Sequence, residues 1–151
     1  MSGLPVDVAM DFVRAINRQD VDALTALMTP DHRFTDSLGN AATGREGMRN
    51  AWTLYFQMVP DYSLKIDETY VQDSAVILIG SAGGTYSHAF EQIQSTGMPI
   101  PDGTSRHQRR WQTPAALRAL IHEGKVAEWR VYADNEPLRK LMREGAEVKI
   151  P

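Results

Sequence analysis

The spacing of apolar residues changes period once, at Pro60-Asp61, and that switch limits what the chain can fold into. Before it, apolar side chains recur about every three to four residues, as one face of a helix requires; after it they alternate, as a half-buried strand requires. Helices first and strands afterwards, without β-α-β alternation, mean an α+β domain.

The first half supplies three helices. Val8, Phe12 and Ile16, with Ala9 and Val13 beside them, share one helical face, and Pro5 suits its first turn. Asp20 is placed to cap a second, shorter helix with the stripe Val21, Leu24, Leu27 and Met28, which Thr29-Pro30-Asp31 stops. His32, Phe34 and Asp36 then alternate with Arg33 and Thr35 along a short strand, so that Phe34 and Asp36 share a face, and Asp36-Ser37-Leu38-Gly39 reads as a type I turn. Thr43-Gly44-Arg45-Glu46 has the spacing of a capping box at the head of a third helix, which carries Met48, Trp52, Tyr55 and Val59 on one side.

The second half supplies a meander. Tyr62, Leu64, Ile66, Glu68 and Tyr70 alternate with polar residues, and Gln72-Asp73-Ser74 turns the chain into a long strand from Ala75 to about His88. Gly80, Gly83 and Gly84 weaken that strand unless it bends or another backbone comes close. Residues 89–105, with Gly97, Pro99, Pro101 and Gly103, read as an irregular connection and a candidate lid. Arg109–Thr113 and Ala115–His122 form one strand with a bulge expected at Pro114, and Glu123-Gly124 makes a tight hairpin into Lys125–Asp134. Asn135 is expected to cap a last helix bearing Leu138, Leu141 and Met142 and closed by Gly145. The expected result is a single domain over residues 1–151, with a curved, mostly antiparallel sheet wrapped around the N-terminal helices.

Composition removes several function classes. A net charge of -3 gives no field to attract nucleic acid. The absence of cysteine excludes disulfides and thiolate chemistry and fits a cytoplasmic setting. Asp7 and Asp11 interrupt the N-terminus before any signal-peptide core, and no run approaches the roughly 18 apolar residues of a membrane span. The four histidines lack metal-ligand spacing and no glycine-rich phosphate loop is present, so neither metal nor cofactor is expected.

Three stretches carry a family likeness: FVRAINRQDVDALTALMTPDHRFTD, TGREGMRNAW and HEGKVAEWRVYADNEPL. From about Val6 to Leu141 the chain resembles the nuclear transport factor 2-like superfamily, in its SnoaL-like polyketide-cyclase branch. The resemblance implies a cone-shaped domain around a deep apolar pocket, a hydrophobic small molecule as partner, and a homodimer formed through the outer sheet face. It also implies that Asp36 holds the place of the general base in ketosteroid isomerase relatives. Those relatives stabilise an enolate with a tyrosine on the first helix and an acid on the penultimate strand. Phe12 and Ala116 stand at those places here, and without donors for the oxyanion, steroid isomerisation is not expected. Limonene epoxide hydrolase relatives need an aspartate two residues after the final-strand tryptophan. Val131 follows Trp129 at that distance, and Gly80–Gly84 holds no carboxylate or arginine, so that activity is not expected either. The superfamily contains both enzymes and binding domains, so the site has to decide between them.

The candidate catalytic residues are Asp36, Tyr55, Arg118 and His88; Phe34, Met48, Trp52, Trp129, Val131, Ala116 and Phe12 are the candidate pocket lining. Asp36 is either a base raised in pKa by burial or the cap of its own turn. Tyr55 is either a hydroxyl donor or a core tyrosine bonded to backbone. Arg118, on the strand parity of Ala116, either enters the pocket, to pair with Asp36 or an anionic ligand group, or lies exposed at a strand edge. His88 and His107 flank the candidate lid and either shuttle protons or are ordinary surface histidines. Trp129 is either an aromatic wall or core. Two functions follow: cofactor-independent proton transfer on a hydrophobic carbonyl-bearing molecule, or a non-catalytic dimeric ligand-binding domain. A cone filled by side chains, with no cavity near about 300 Å³, would instead mean a dimerisation domain.

Overall fold

The structure, a computed structural model, describes residues 4–87 and 109–148. Helices α1 (Pro5–Asn17) and α2 (Val21–Ala26) lead into β1 (Met28–Thr35), β2 (Ala41–Thr43) and α3 (Arg45–Met58). Strands β3 (Ser63–Gln72), β4 (Ala75–Thr85), β5 (Arg110–His122) and β6 (Lys125–Ala133) follow, and α4 (Glu136–Val148) closes the order. The strands form one sheet in the order β2-β1-β6-β5-β4-β3. Its neighbours are antiparallel except β1 and β6, which are parallel. The curved sheet wraps the N-terminal helices, giving the α+β architecture that the periodicity calls for and the cone that the family likeness implies.

The core lies between α1 and the concave face of the sheet. Val8, Ala9, Phe12, Val13, Ala15 and Ile16 of α1 are buried, and so are Leu117 and Ala119 of β5 and Val126 and Trp129 of β6. Pro5 opens α1, and the Asp20 carboxylate caps α2 by accepting from the Ala23 N–H at 3.0 Å. The end of α1 is bonded to the start of β3 much as a short strand would be. The Asn17 amide donates to the Leu64 carbonyl at 3.0 Å and accepts from the Leu64 N–H at 2.8 Å. Gln19, in the left-handed region at φ 59°, donates to the Tyr62 carbonyl at 2.7 Å. These bonds fix Tyr62 and Leu64 relative to α1.

The glycines of β4 are needed because other chain segments come close. A Cβ on Gly80 would lie 1.7 Å from the Lys65 carbonyl oxygen, beside the register shift between Ile66 and Glu68. One on Gly84 would lie 2.4 Å from the Val59 side chain at the end of α3.

Several local expectations are corrected. The second helix stops at Ala26, and Met28, Thr29, Pro30 and Asp31 belong to β1. Pairing with β6 competes successfully for Met28, which registers with Val126, and Pro30 falls where that register shifts and its missing N–H costs no ladder bond. There is no capping box. Thr43 pairs with Arg33 as the last residue of β2, a strand the sequence does not announce, and Gly44 at φ 112° is the N-cap of α3, with no side-chain cap. Pro114 causes no bulge. It registers with Ser81 without interruption, while β6 ends at Ala133 opposite Ala115, so no second ladder asks for a donor there; the β5–β6 irregularity is at Leu120/Ile121 instead. Asp134, not Asn135, accepts the Glu136 N–H, at 2.9 Å, and α4 continues through Gly145 to Val148. In β3 the alternation ends at the register shift: Leu64 faces inward and Tyr70 is exposed. The proposed lid, with His88 and His107, lies outside the described residues.

Candidate functional site

Between α3, the end of β1 and β6 lies a cavity of about 280 Å³, lined by Phe34, Asp36, Ser37, Met48, Ala51, Trp52, Tyr55, Tyr62, Val131 and Asn135. Its volume sits at the small end of ligand cavities, which run from about 300 Å³ upward, and suits a one- or two-ring molecule. One stripe of α3 supplies Met48, Ala51, Trp52 and Tyr55, at helical spacing. Phe34 and Asp36 come from alternate positions of the strand and its turn, and Val131 from the inner face of β6.

The aromatic wall is continuous. Phe34 meets Trp52 edge-on at 6.2 Å between ring centroids, Trp52 meets Tyr55 at 6.1 Å, and Tyr55 meets Tyr62 at 4.9 Å. Perpendicular rings of this kind suit the aromatic quadrupole and hold one another in place. Burial, and for Tyr55 also the neighbouring Tyr62, raises both tyrosine pKa values well above 10, so both hydroxyls stay protonated.

Asp36 is half-buried and has two roles. Its Oδ1 accepts from the backbone N–H groups of Leu38 and Asn40, each at 2.9 Å, which caps the turn. Its Oδ2 has one longer bond, 3.3 Å from Asn40 Nδ2, and retains acceptor capacity. Across the mouth, Asn135 Nδ2 donates to Ser37 Oγ at 2.8 Å.

A model of the SnoaL-like domain family matches residues 9–129. The chain belongs to that family. Among solved structures it resembles a protein of Shewanella denitrificans OS-217 assigned to the SnoaL-like polyketide cyclases, with TM-score 0.72, 14% identity and coverage of 93% of this chain and 97% of that one. It also resembles an NTF2-like protein of Burkholderia thailandensis E264, with TM-score 0.68, 18% identity and coverage of 91% and 96%. A third is a protein with a ketosteroid isomerase-like fold from Catenulispora acidiphila DSM 44928, in complex with trimethylamine, with TM-score 0.63, 17% identity and coverage of 83% of each chain. At these identities the likeness is one of fold. No curated protein sequence matches the chain significantly.

In this SnoaL-like domain six of the residues singled out from sequence line one cavity: Asp36, Tyr55, Phe34, Met48, Trp52 and Val131. Phe12 and Trp129 do not; their tilted rings pack with centroids 4.6 Å apart, fully buried in the core. Arg118 and Ala116 are on the outer sheet face. The inward residues of β5 are Trp111, Thr113, Ala115, Leu117, Ala119 and Ile121, and Arg118 donates to Glu128 at 2.8 Å. The alternation of the whole strand, with Trp111, Leu117 and Ile121 on one face and Arg110, Gln112, Arg118 and His122 on the other, is the signal that the Arg118 face is the outer one. That face holds a shallower groove of about 470 Å³, between Arg118 and Tyr70, Val71, Gln72, Ala75 and Ile77, and the one charged group among these lining residues is already paired.

Four lining residues were missed. Ala51 continues the Met48–Trp52 stripe and Tyr62 precedes the inward Leu64 in the sequence, so both had a signal. Ser37 and Asn135 are brought in by the turn and by α4, which no periodicity marks. Among the described residues no three His, Asp or Glu side chains gather as a metal site would require, and no helix is long and apolar enough to cross a membrane.

Proposed function

We propose that this SnoaL-like domain catalyses cofactor-independent proton transfer on a small hydrophobic carbonyl compound, as an isomerase or cyclase would. The observation that supports this reading is that a carboxylate, Asp36, and a protonated phenol, Tyr55, line the same apolar cavity. Asp36 Oδ2 takes a proton from the carbon beside the carbonyl, the electron pair moves onto the carbonyl oxygen, and the proton returns at the same or a conjugated carbon. Tyr55 supplies a hydroxyl to the oxygen as charge develops there. The same reading includes a homodimer through the outer sheet face, where Tyr70 and Tyr132 are exposed.

Solvent exchange tests it. In D₂O the protein should accelerate deuterium uptake at the methylene beside the carbonyl of 1-tetralone, followed by proton NMR. Asp36→Asn keeps an amide oxygen for the turn but removes the base, so exchange should fall to the buffer rate. A second reading, a non-catalytic binding domain, has one observation in its favour: all three donors to Asp36 come from its own turn. Saturable binding of 1-tetralone with exchange at the buffer rate would establish that reading and sink the first.

A further inference from the structure

We infer that Tyr55 and Tyr62 together form a donor subsite that takes an oxygen acceptor of the ligand, a ketone or ester carbonyl, at the α3–β3 end of the cavity. The inference rests on the cavity being the ligand site, as proposed above, but not on Asp36 acting as a base.

Both tyrosines line the cavity, and their rings meet edge-on at 4.9 Å, so the two phenols form one unit. Neither hydroxyl is bonded to another described residue, so each is left to meet a ligand in the cavity its residue lines. Burial keeps both as O–H groups, able to donate. Trp52, which touches both rings at 6.1 and 6.5 Å, carries a further N–H without a partner among the described residues. The described lining therefore has donors in surplus at this end.

It also contains no Lys, Arg or His, and it includes Asp36. A full negative charge on the ligand would meet a carboxylate and no counter-ion, so the acceptor suited to this subsite is neutral, with at most the partial charge of an enolising carbonyl. On the inner face of β5, Trp111 stands 6.1 Å from Tyr62 between ring centroids and its N–H also lacks a partner among the described residues, but it does not line the cavity, so donation into the cavity comes from α3 and the loop after it. Gln19 and Asn17 hold that loop from the far side, through the Tyr62 and Leu64 backbone.

The test compares 1-tetralone with tetralin, its hydrocarbon counterpart, by calorimetric titration of the full chain. Tyr55→Phe/Tyr62→Phe should weaken the ketone about tenfold or more while changing tetralin by less than about twofold, as loss of two hydrogen bonds implies. The carbonyl stretch of bound 1-tetralone should lie at lower wavenumber in the wild type and return toward its value in apolar solvent in the double variant. Arg118→Gln, on the outer sheet face, should leave the ketone affinity and the stretch unchanged. Near-ultraviolet circular dichroism checks that the double variant keeps its core. Equal loss for both compounds, an unshifted stretch in the wild type, or no binding of either compound would overturn the subsite. Exchange at the buffer rate in the wild type, with the ketone preference intact, would sink only the base.

Discussion

Asn135 donates to Ser37 at 2.8 Å and so fastens the start of α4 to the turn that carries Asp36. The two residues are 98 positions apart, and both line the cavity. Asn135→Ala removes this bond and leaves Ser37 without its donor, at a cost of about 1 kcal/mol, the usual net value of one such bond. The loss should show as a lower urea midpoint. It should also speed amide exchange at Leu38 and Asn40, whose N–H groups bond to Asp36. An unchanged midpoint with unchanged exchange would mean that α4 and the turn are not coupled.

His32 makes stability depend on pH. It is fully buried beside Phe12, with Nδ1 2.7 Å from the Val126 carbonyl, and burial lowers its pKa from 6.5 despite the opposing pull of that carbonyl, Glu128 and Asp31. Since the folded pKa lies below the unfolded one, the unfolded chain binds the proton first as pH falls. The contribution is therefore complete above pH 6.5 and is lost below it, down through the folded pKa. Urea midpoints measured from about pH 8 to 5 should fall in the lower part of that range, and His32→Asn should flatten the fall. Parallel curves for the two proteins would assign the dependence to other groups.

Two glycines should respond in opposite directions to alanine. Gly80→Ala drives a Cβ into the Lys65 carbonyl, which is backbone held in the β3–β4 pairing and cannot swing aside. A loss of about 2–3 kcal/mol or more is expected, the range of an overpacked core. Gly47 is exposed in the first turn of α3, and no atom lies within 4 Å of the place an alanine methyl would take. Gly47→Ala should therefore gain up to about 1 kcal/mol, the difference in helix propensity between the two residues. Thermal melts of the two variants decide both.

The fold was legible because its determinants are local: the α1 stripe, the α3 stripe and the Glu123-Gly124 hairpin, where φ is 50° and 77°, each follow from residues a few positions apart. What escaped the sequence depends on distant partners. Met28 reads as helix until Val126 pairs with it, and Thr43 reads as a cap until Arg33 claims it for β2. At the site, the α3 and β1 residues were visible for the same local reason. Arg118 was misplaced because it was given the parity of Ala116, the position the family likeness set at the pocket, although Arg110, Gln112 and His122 mark that parity as the outer one, and Asn135 reaches the cavity only through a contact between residues far apart in the chain.

Glu128 holds the outer face of the sheet together electrostatically. Arg118 and Arg130 stand directly opposite each other in the β5–β6 register, an arrangement of like charges that is unfavourable by itself. Glu128 accepts from Arg118 at 2.8 Å and lies 3.8 Å from Arg33, while Arg130 rests over the Tyr132 ring at 5.0 Å. Glu128→Gln leaves three arginines on this patch without their carboxylate. Because the Glu128 side chain is only 17% exposed, the loss should reach the upper end of the range for such pairs, about 1 kcal/mol at low salt. It should shrink in about 1 M NaCl, where screening weakens the repulsion between the arginines. Urea midpoints at the two salt concentrations measure it, with Arg118→Gln/Glu128→Gln as the control that removes both partners. A loss independent of salt would point to packing of the Glu128 side chain, and the double variant would then be no more stable than the single one.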